Sequence, residues 1–275
     1  MTECLEATFD FLRANRRVWF RSVLLLFLPV CVVISLLLFA SLEEEMMSSD
    51  FVEMMSRLLD NSDNNAVILI VVLYVGIWVA FVQVFSLLLA NEESVDGVEE
   101  MSLKELKPWF VKTAKRTWYL PLFFMGLAFL SFVPVLGFVI LVLMVPLALM
   151  PALHIVERLN IWEASTKALS MGFPIWFKMA FNIVLVSLLG LYVFFALFIP
   201  SAFLNMIIDT LSTSQLHELE RLSVIALGFV FALLAILGWC IVQSMVVLLC
   251  AYHYGSSSEE KDASSLEGEV ANFGK

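Results

Sequence analysis

Charge is what this 275-residue sequence has least of: Asp, Glu, Lys and Arg make up 15% of it, against about 25% in a soluble globular domain. That shortage excludes a soluble enzyme and a disordered chain. The sign of what charge there is excludes nucleic acid as a partner. The 26 acidic residues outweigh 16 basic ones to give a net −10, where a nucleic-acid binder carries a basic surface. Cysteine is scarce too. Cys4, Cys31, Cys240 and Cys250 show neither CxxC nor metal spacing and read as small hydrophobes rather than as a disulfide framework. The three histidines, His154, His217 and His253, lie at the ends of apolar runs or in a loop. His154 and Glu157 sit three apart without a third ligand. No HExxH, GxSxG or phosphate-loop motif is present. The sequence therefore predicts no enzyme, no cofactor and no metal.

In place of charge there is hydrocarbon. The chain is 61% hydrophobic, with a mean hydropathy of +0.93. Six apolar runs stand out, at 18–40, 66–90, 117–132, 135–156, 175–199 and 222–250. A helix of about 20 apolar residues crosses a bilayer, so the runs predict six transmembrane helices. Pro134 and Gly137 favour a tight hairpin between the third and fourth runs over one long helix. The first run is longer than a signal-peptide core and no A-x-A site follows it, so it reads as an uncleaved anchor. With the N-terminus inside, 14 of the 16 Lys and Arg residues fall on the inner side and only Arg57 and Arg221 on the outer. The positive-inside rule then predicts that both termini are cytoplasmic.

The spans hide a repeat. At an offset of 157, Glu6, Ala7, Leu12, Trp19 and Phe20 meet Glu163, Ala164, Leu169, Trp176 and Phe177. A weaker copy at an offset of 99 matches Glu6, Phe11, Arg13, Arg16, Arg17 and Trp19 with Glu105, Phe110, Lys112, Lys115, Arg116 and Trp118. Each copy is a short amphipathic stretch, then a basic or turn segment, then Trp with an aromatic neighbour, then two apolar runs. The expected fold is all-α and polytopic, with three parallel repeats of interfacial helix plus membrane hairpin. The repeat units cover 3–90, 102–156 and 160–252 of a membrane domain at 1–254, and a disordered cytoplasmic tail is expected at 255–275.

Ser102-x-x-Glu105 and Asn160-x-x-Glu163 have the spacing of capping boxes, which satisfy the free amides of a helix start. Pro108 conflicts with a helix from Leu103; the alternative is a helix that begins at Pro108 and leaves Glu105 in a loop. In the first outer loop Phe51, Val52, Met54, Met55, Leu58 and Leu59 form a helical stripe, suited to lying on the outer membrane surface or capping the bundle.

This pattern resembles a group of poorly characterised bacterial six-span proteins. They include the membrane domain of some glycerophosphodiester phosphodiesterases and the stand-alone YciC-like proteins. The resemblance rests on Glu163-Ala164-Ser165-x-x-Ala168-Leu169, on Trp176-Phe177, on the matching N-terminal copy and on Tyr254-Gly255. It implies a bacterial inner-membrane protein and brings no hydrolase activity, because no soluble region here is long enough to be that domain.

Two sets of residues are candidates for function. Gln83, Asn182, Gln243 and Ser244 are polar residues inside apolar runs. They suit either helix–helix hydrogen bonding, the plainer reading, or a polar vestibule for a headgroup or small solute. Trp19, Trp118, Trp176, Arg13, Arg16, Arg17, Lys112, Lys115 and Arg116 are expected as interfacial anchors. The basic ones set topology or meet anionic lipid headgroups. The expected partners are membrane lipids. The leading expectation is a non-enzymatic lipid-interacting, membrane-homeostasis or scaffold protein; the alternative is a transporter or channel with a path near Gln83 and Gln243.

Overall fold

The computed structural model describes residues 3–45, 62–93, 101–131, 133–210 and 218–273. The stripe of Phe51 to Leu59 lies outside them. The described residues form ten helices and no strand. They are α1 (Glu3–Ala14), α2 (Arg16–Glu45), α3 (Ser62–Glu93), α4 (Leu103–Thr117) and α5 (Leu120–Leu130), followed by α6 (Pro134–Leu147), α7 (Met150–Val156), α8 (Ile161–Gly172), α9 (Trp176–Thr210) and α10 (Glu218–Phe273). Among the described residues each of the six apolar runs is mainly helical. Among the described residues four stretches are long and apolar enough to cross a membrane: Tyr74–Glu93, Leu136–Val156, Trp176–Ser201 and Ser223–Glu260. The chain thus has the helices of a multi-pass membrane protein.

Two of the runs are not single long helices. The third is the 11-residue α5, about 16 Å long at 1.5 Å per residue and so half of the hydrocarbon thickness. The fourth is interrupted at Ala148-Leu149, between α6 and α7. Pro151 falls in the first turn of α7, where its missing N–H is not needed. At the end of the chain α10 continues to Phe273. No proline interrupts it, and Gly255 and Gly268 each cost a helix only about 1 kcal/mol.

Helices stand at each of the three places the prefix motif marks. α4 starts as its capping box requires: Ser102 Oγ accepts from Glu105 N, and Glu105 Oε2 accepts from Ser102 N at 2.7 Å. Pro108 sits inside α4 rather than starting or breaking it. It lies on the exposed face, so the Lys104 carbonyl it leaves without an intrahelical donor is open to water. α8 starts with Asn160 Oδ1 accepting from Glu163 N at 2.9 Å.

The helices group into two compact units. One comprises residues 1–21, 80–186 and 244–275 and so holds α1 and α4 to α8 whole. Here α8 packs on α6 and α7, α4 on α7, and α5 on α6. Leu106, Leu120, Leu149, Met150, Leu153 and Met179 are among its fully buried side chains. Two glycines permit close approaches. A Cβ on Gly172 of α8 would stand 2.5 Å from Pro146 Cβ and 2.6 Å from Pro146 Cα of α6. A Cβ on Gly137 would collide with the Ser131 carbonyl, which is why the α5–α6 hairpin turns so tightly.

The other unit comprises residues 22–79 and 187–243. Its clearest feature is an antiparallel pair. Gly190 of α9 receives Val242 of α10, Gly238 of α10 receives Val193, and Ser201 Oγ donates to the Gly228 carbonyl at 2.9 Å. Small residues at the crossing and one inter-helix hydrogen bond are how apolar helices associate in lipid, where the hydrophobic effect does not drive them together. The outer faces are apolar, with Leu188, Tyr192, Phe195, Ile199, Phe203 and Val230 exposed.

Candidate functional site

Three of the four polar candidates in the apolar runs, Gln83, Asn182 and Ser244, are paired. Gln83 and Ser244 are fully buried, and Ser244 Oγ donates to Gln83 Oε1 at 2.9 Å. Gln83 Nε2 reaches the Trp19 carbonyl at 3.4 Å, which ties the start of α2 to the end of α3. Asn182 and His253, 3% and 1% exposed, join through Nδ2 and Nε2 at 3.1 Å. The partners within the two pairs lie 161 and 71 residues apart in sequence. Gln243 belongs to the other unit and is half-buried. Buried polar groups that satisfy one another cost little, whereas unpaired ones cost several kcal/mol in an apolar medium. Ser86 and Thr113 are buried hydroxyls with no partner among the described residues.

The second polar cluster lies where α7 ends, and the sequence marks it only by His154 and Glu157. The Arg116 guanidinium donates to the His154 carbonyl at 2.7 Å. His154 Nδ1 bonds to the Leu159 carbonyl at 2.6 Å, and its Nε2 bonds to the Tyr119 hydroxyl. Because a carbonyl only accepts, Nδ1 carries the proton and Nε2 takes the Tyr119 proton. Glu157 pairs with Lys167 and accepts from the Tyr254 hydroxyl at 3.0 Å. Arg158 has a φ of 60°, the left-handed conformation that commonly ends a helix on glycine and that costs another residue about 1–2 kcal/mol. The surrounding bonds fix the turn that strain would otherwise relax. Both ring nitrogens of His154 are thereby occupied.

The expected interfacial residues divide. Trp118 is 51% exposed, whereas Trp19 is 4% exposed and part of the core. Trp176 is half-buried, with Nε1 donating to the Val142 carbonyl at 2.8 Å. Arg13, Arg16 and Arg17 are exposed. Lys112 and Lys115 are exposed as well, but Arg116 turns inward to the His154 carbonyl. With Lys104 and Lys107 the two lysines border an open cleft of about 580 Å³ on α4, floored by Pro108 and Val111. Lys112 Nζ stands 4.8 Å from the centre of the Trp109 ring.

One pairing had no signal in the sequence. Cys31 and Cys240, both buried, face each other with 4.0 Å between sulfurs. None of the four cysteines is in a disulfide.

Compared with protein-family models, curated proteins and solved structures, the chain matches none.

Proposed function

We propose that the chain is a non-catalytic integral membrane protein of the bacterial inner membrane, and that it holds or organises lipid in a membrane-homeostasis or scaffold role. On this reading it has six membrane segments in three repeats, both termini are cytoplasmic, and it belongs with the YciC-like group it resembles. The short α5 is compatible with this topology. A hairpin that turns back inside the bilayer leaves its ends on one side, as two full spans do. The observation that carries the reading is the contrast between inside and outside. The buried polar side chains Gln83, Ser244, Asn182 and His253 bond to one another, while α9 presents apolar faces such as Tyr192, Phe195 and Phe203 outward. A pathway for a solute needs polar groups free to meet it, and a lipid-facing scaffold does not.

The test is reconstitution of the full chain into proteoliposomes, with solute-flux assays and mass spectrometry of co-purified lipid. Retained lipid without flux is the expected result. Flux that disappears in Gln83→Leu with Gln243→Leu would favour the transport alternative instead.

A further inference from the structure

We propose that the outward face of α4 is a docking surface for anionic phospholipid headgroups, with Lys104, Lys107, Lys112 and Lys115 as its cations. The inference rests on the membrane reading above and names the lipid class that reading leaves open. Its first support is the helix's own geometry. Leu106, Phe110, Thr113 and Thr117 are buried, and their spacing puts them on one side of α4. The four lysines and Val111 fall on the opposite side, and all five are exposed. The lysines line the same open cleft, and among the described residues none has a carboxylate partner.

The second support is the charge balance of α4 itself. α4 carries five cations and one carboxylate, Glu105. That carboxylate accepts from Ser102 N in the capping box, and Arg116 is committed to the His154 carbonyl. The lysines remain. The other two prefix helices lack such a face: α1 holds Glu3, Glu6 and Asp10 against Arg13, and α8 holds Glu163 against Lys167. A lysine ammonium is a compact point charge suited to phosphate.

The third support is depth. Trp118, one turn beyond Lys115, is 51% exposed and Leu122 in the next turn is 52% exposed. An exposed indole followed by exposed aliphatics marks the headgroup level, where the chain passes from phosphate to hydrocarbon. The exposed Val111, at 47%, gives the basic face an apolar foothold in that layer. The occupant that matches clustered lysines, an apolar foothold and this depth is a lipid with a net negative headgroup.

The experiment uses the full detergent-solubilised chain and native mass spectrometry, titrated separately with phosphatidylglycerol, phosphatidylcholine and inorganic phosphate. The wild type is expected to hold phosphatidylglycerol more tightly than the other two. Lys104→Gln, Lys107→Gln, Lys112→Gln and Lys115→Gln combined are expected to weaken phosphatidylglycerol at least tenfold and leave phosphatidylcholine unchanged, from about fivefold per near-surface cation. The same four positions changed to Arg keep the affinity. So does the control Lys167→Gln, whose cation is already paired with Glu157.

Should the fourfold variant fail to fold, Lys112→Gln and Lys115→Gln singly each read about fivefold. Undiminished phosphatidylglycerol binding in the α4 lysine variants overturns the inference, as does an equal loss in the Lys167 control or equal binding of inorganic phosphate. Any of these leaves the lipid-organising reading standing. A wild-type chain that retains no lipid of either kind ends both.

Discussion

The two capped prefix helices α4 and α8 start alike and end up serving different neighbours. Each is opened by a short polar side chain that accepts from the amide of a glutamate three residues on. α8 is pressed into the structure. Gly172 lets it meet Pro146 at a distance no side chain allows, its lone lysine is spent on Glu157, and Ser165 Oγ donates to the Ile161 carbonyl at 2.7 Å. α4 keeps a basic face open and leaves the Thr113 hydroxyl buried without a partner. One helix is built for fit and the other retains features that fit alone does not explain. The same amphipathic template can therefore be a wedge or a surface, and what decides is the residue type at its small and charged positions.

The comparison breaks most readily at Gly172. Gly172→Ala forces α8 away from the Pro146 backbone and is expected to destabilise by about 1–3 kcal/mol. By contrast Gly126→Ala in α5, where an added methyl meets nothing within 4 Å, should be neutral or better. Thermal unfolding of the two variants in one detergent checks both. Arg116→Gln removes a charged donor from the end of α7, and a loss of about 1.5–3 kcal/mol is expected. Limited proteolysis around Arg158 should quicken with it, whereas Lys115→Gln on the same helix should leave cleavage unchanged.

Thr113→Val tests the opposite sign. It replaces a buried unpaired hydroxyl with a methyl of the same shape, so stability should rise by about 1 kcal/mol. A denaturation midpoint that falls would mean the hydroxyl has a partner. The smallest effect is at the caps. Ser102→Ala and Asn160→Ala are each expected to lose about 1 kcal/mol. The Ser102 change should be the larger, because it also frees Glu105 from its place in the box; helix content by circular dichroism and the melting midpoint report it.

These differences show which features a sequence can carry openly. Pro134 and Gly137 announce the α5–α6 hairpin because local sterics leave them few other places. The Ser102 box is legible for the same reason: both its partners lie within four residues. Pro108 misleads, since a local rule against proline is outweighed where the freed carbonyl faces water. Trp19 and Trp118 align in sequence at an offset of 99, yet one is core and the other is exposed, because an indole suits either setting and only its neighbours decide. Gln83, Asn182 and Ser244 stand out in sequence as polar residues in apolar runs. Their pairing does not, because each partner lies on a distant helix. The inward turn of Arg116 is hidden likewise, its acceptor being a backbone carbonyl that every residue possesses.

The meeting of Cys31 with Cys240 has a consequence for biogenesis. Cys31 belongs to α2 and Cys240 to α10, 209 positions later in the chain. Until α10 is synthesised and inserted, Cys31 lacks the neighbour that faces it in the finished protein. Oxidative joining of the two sulfurs would therefore register only molecules in which α10 is in place, so this pair of thiols can date the moment at which α2 and α10 meet.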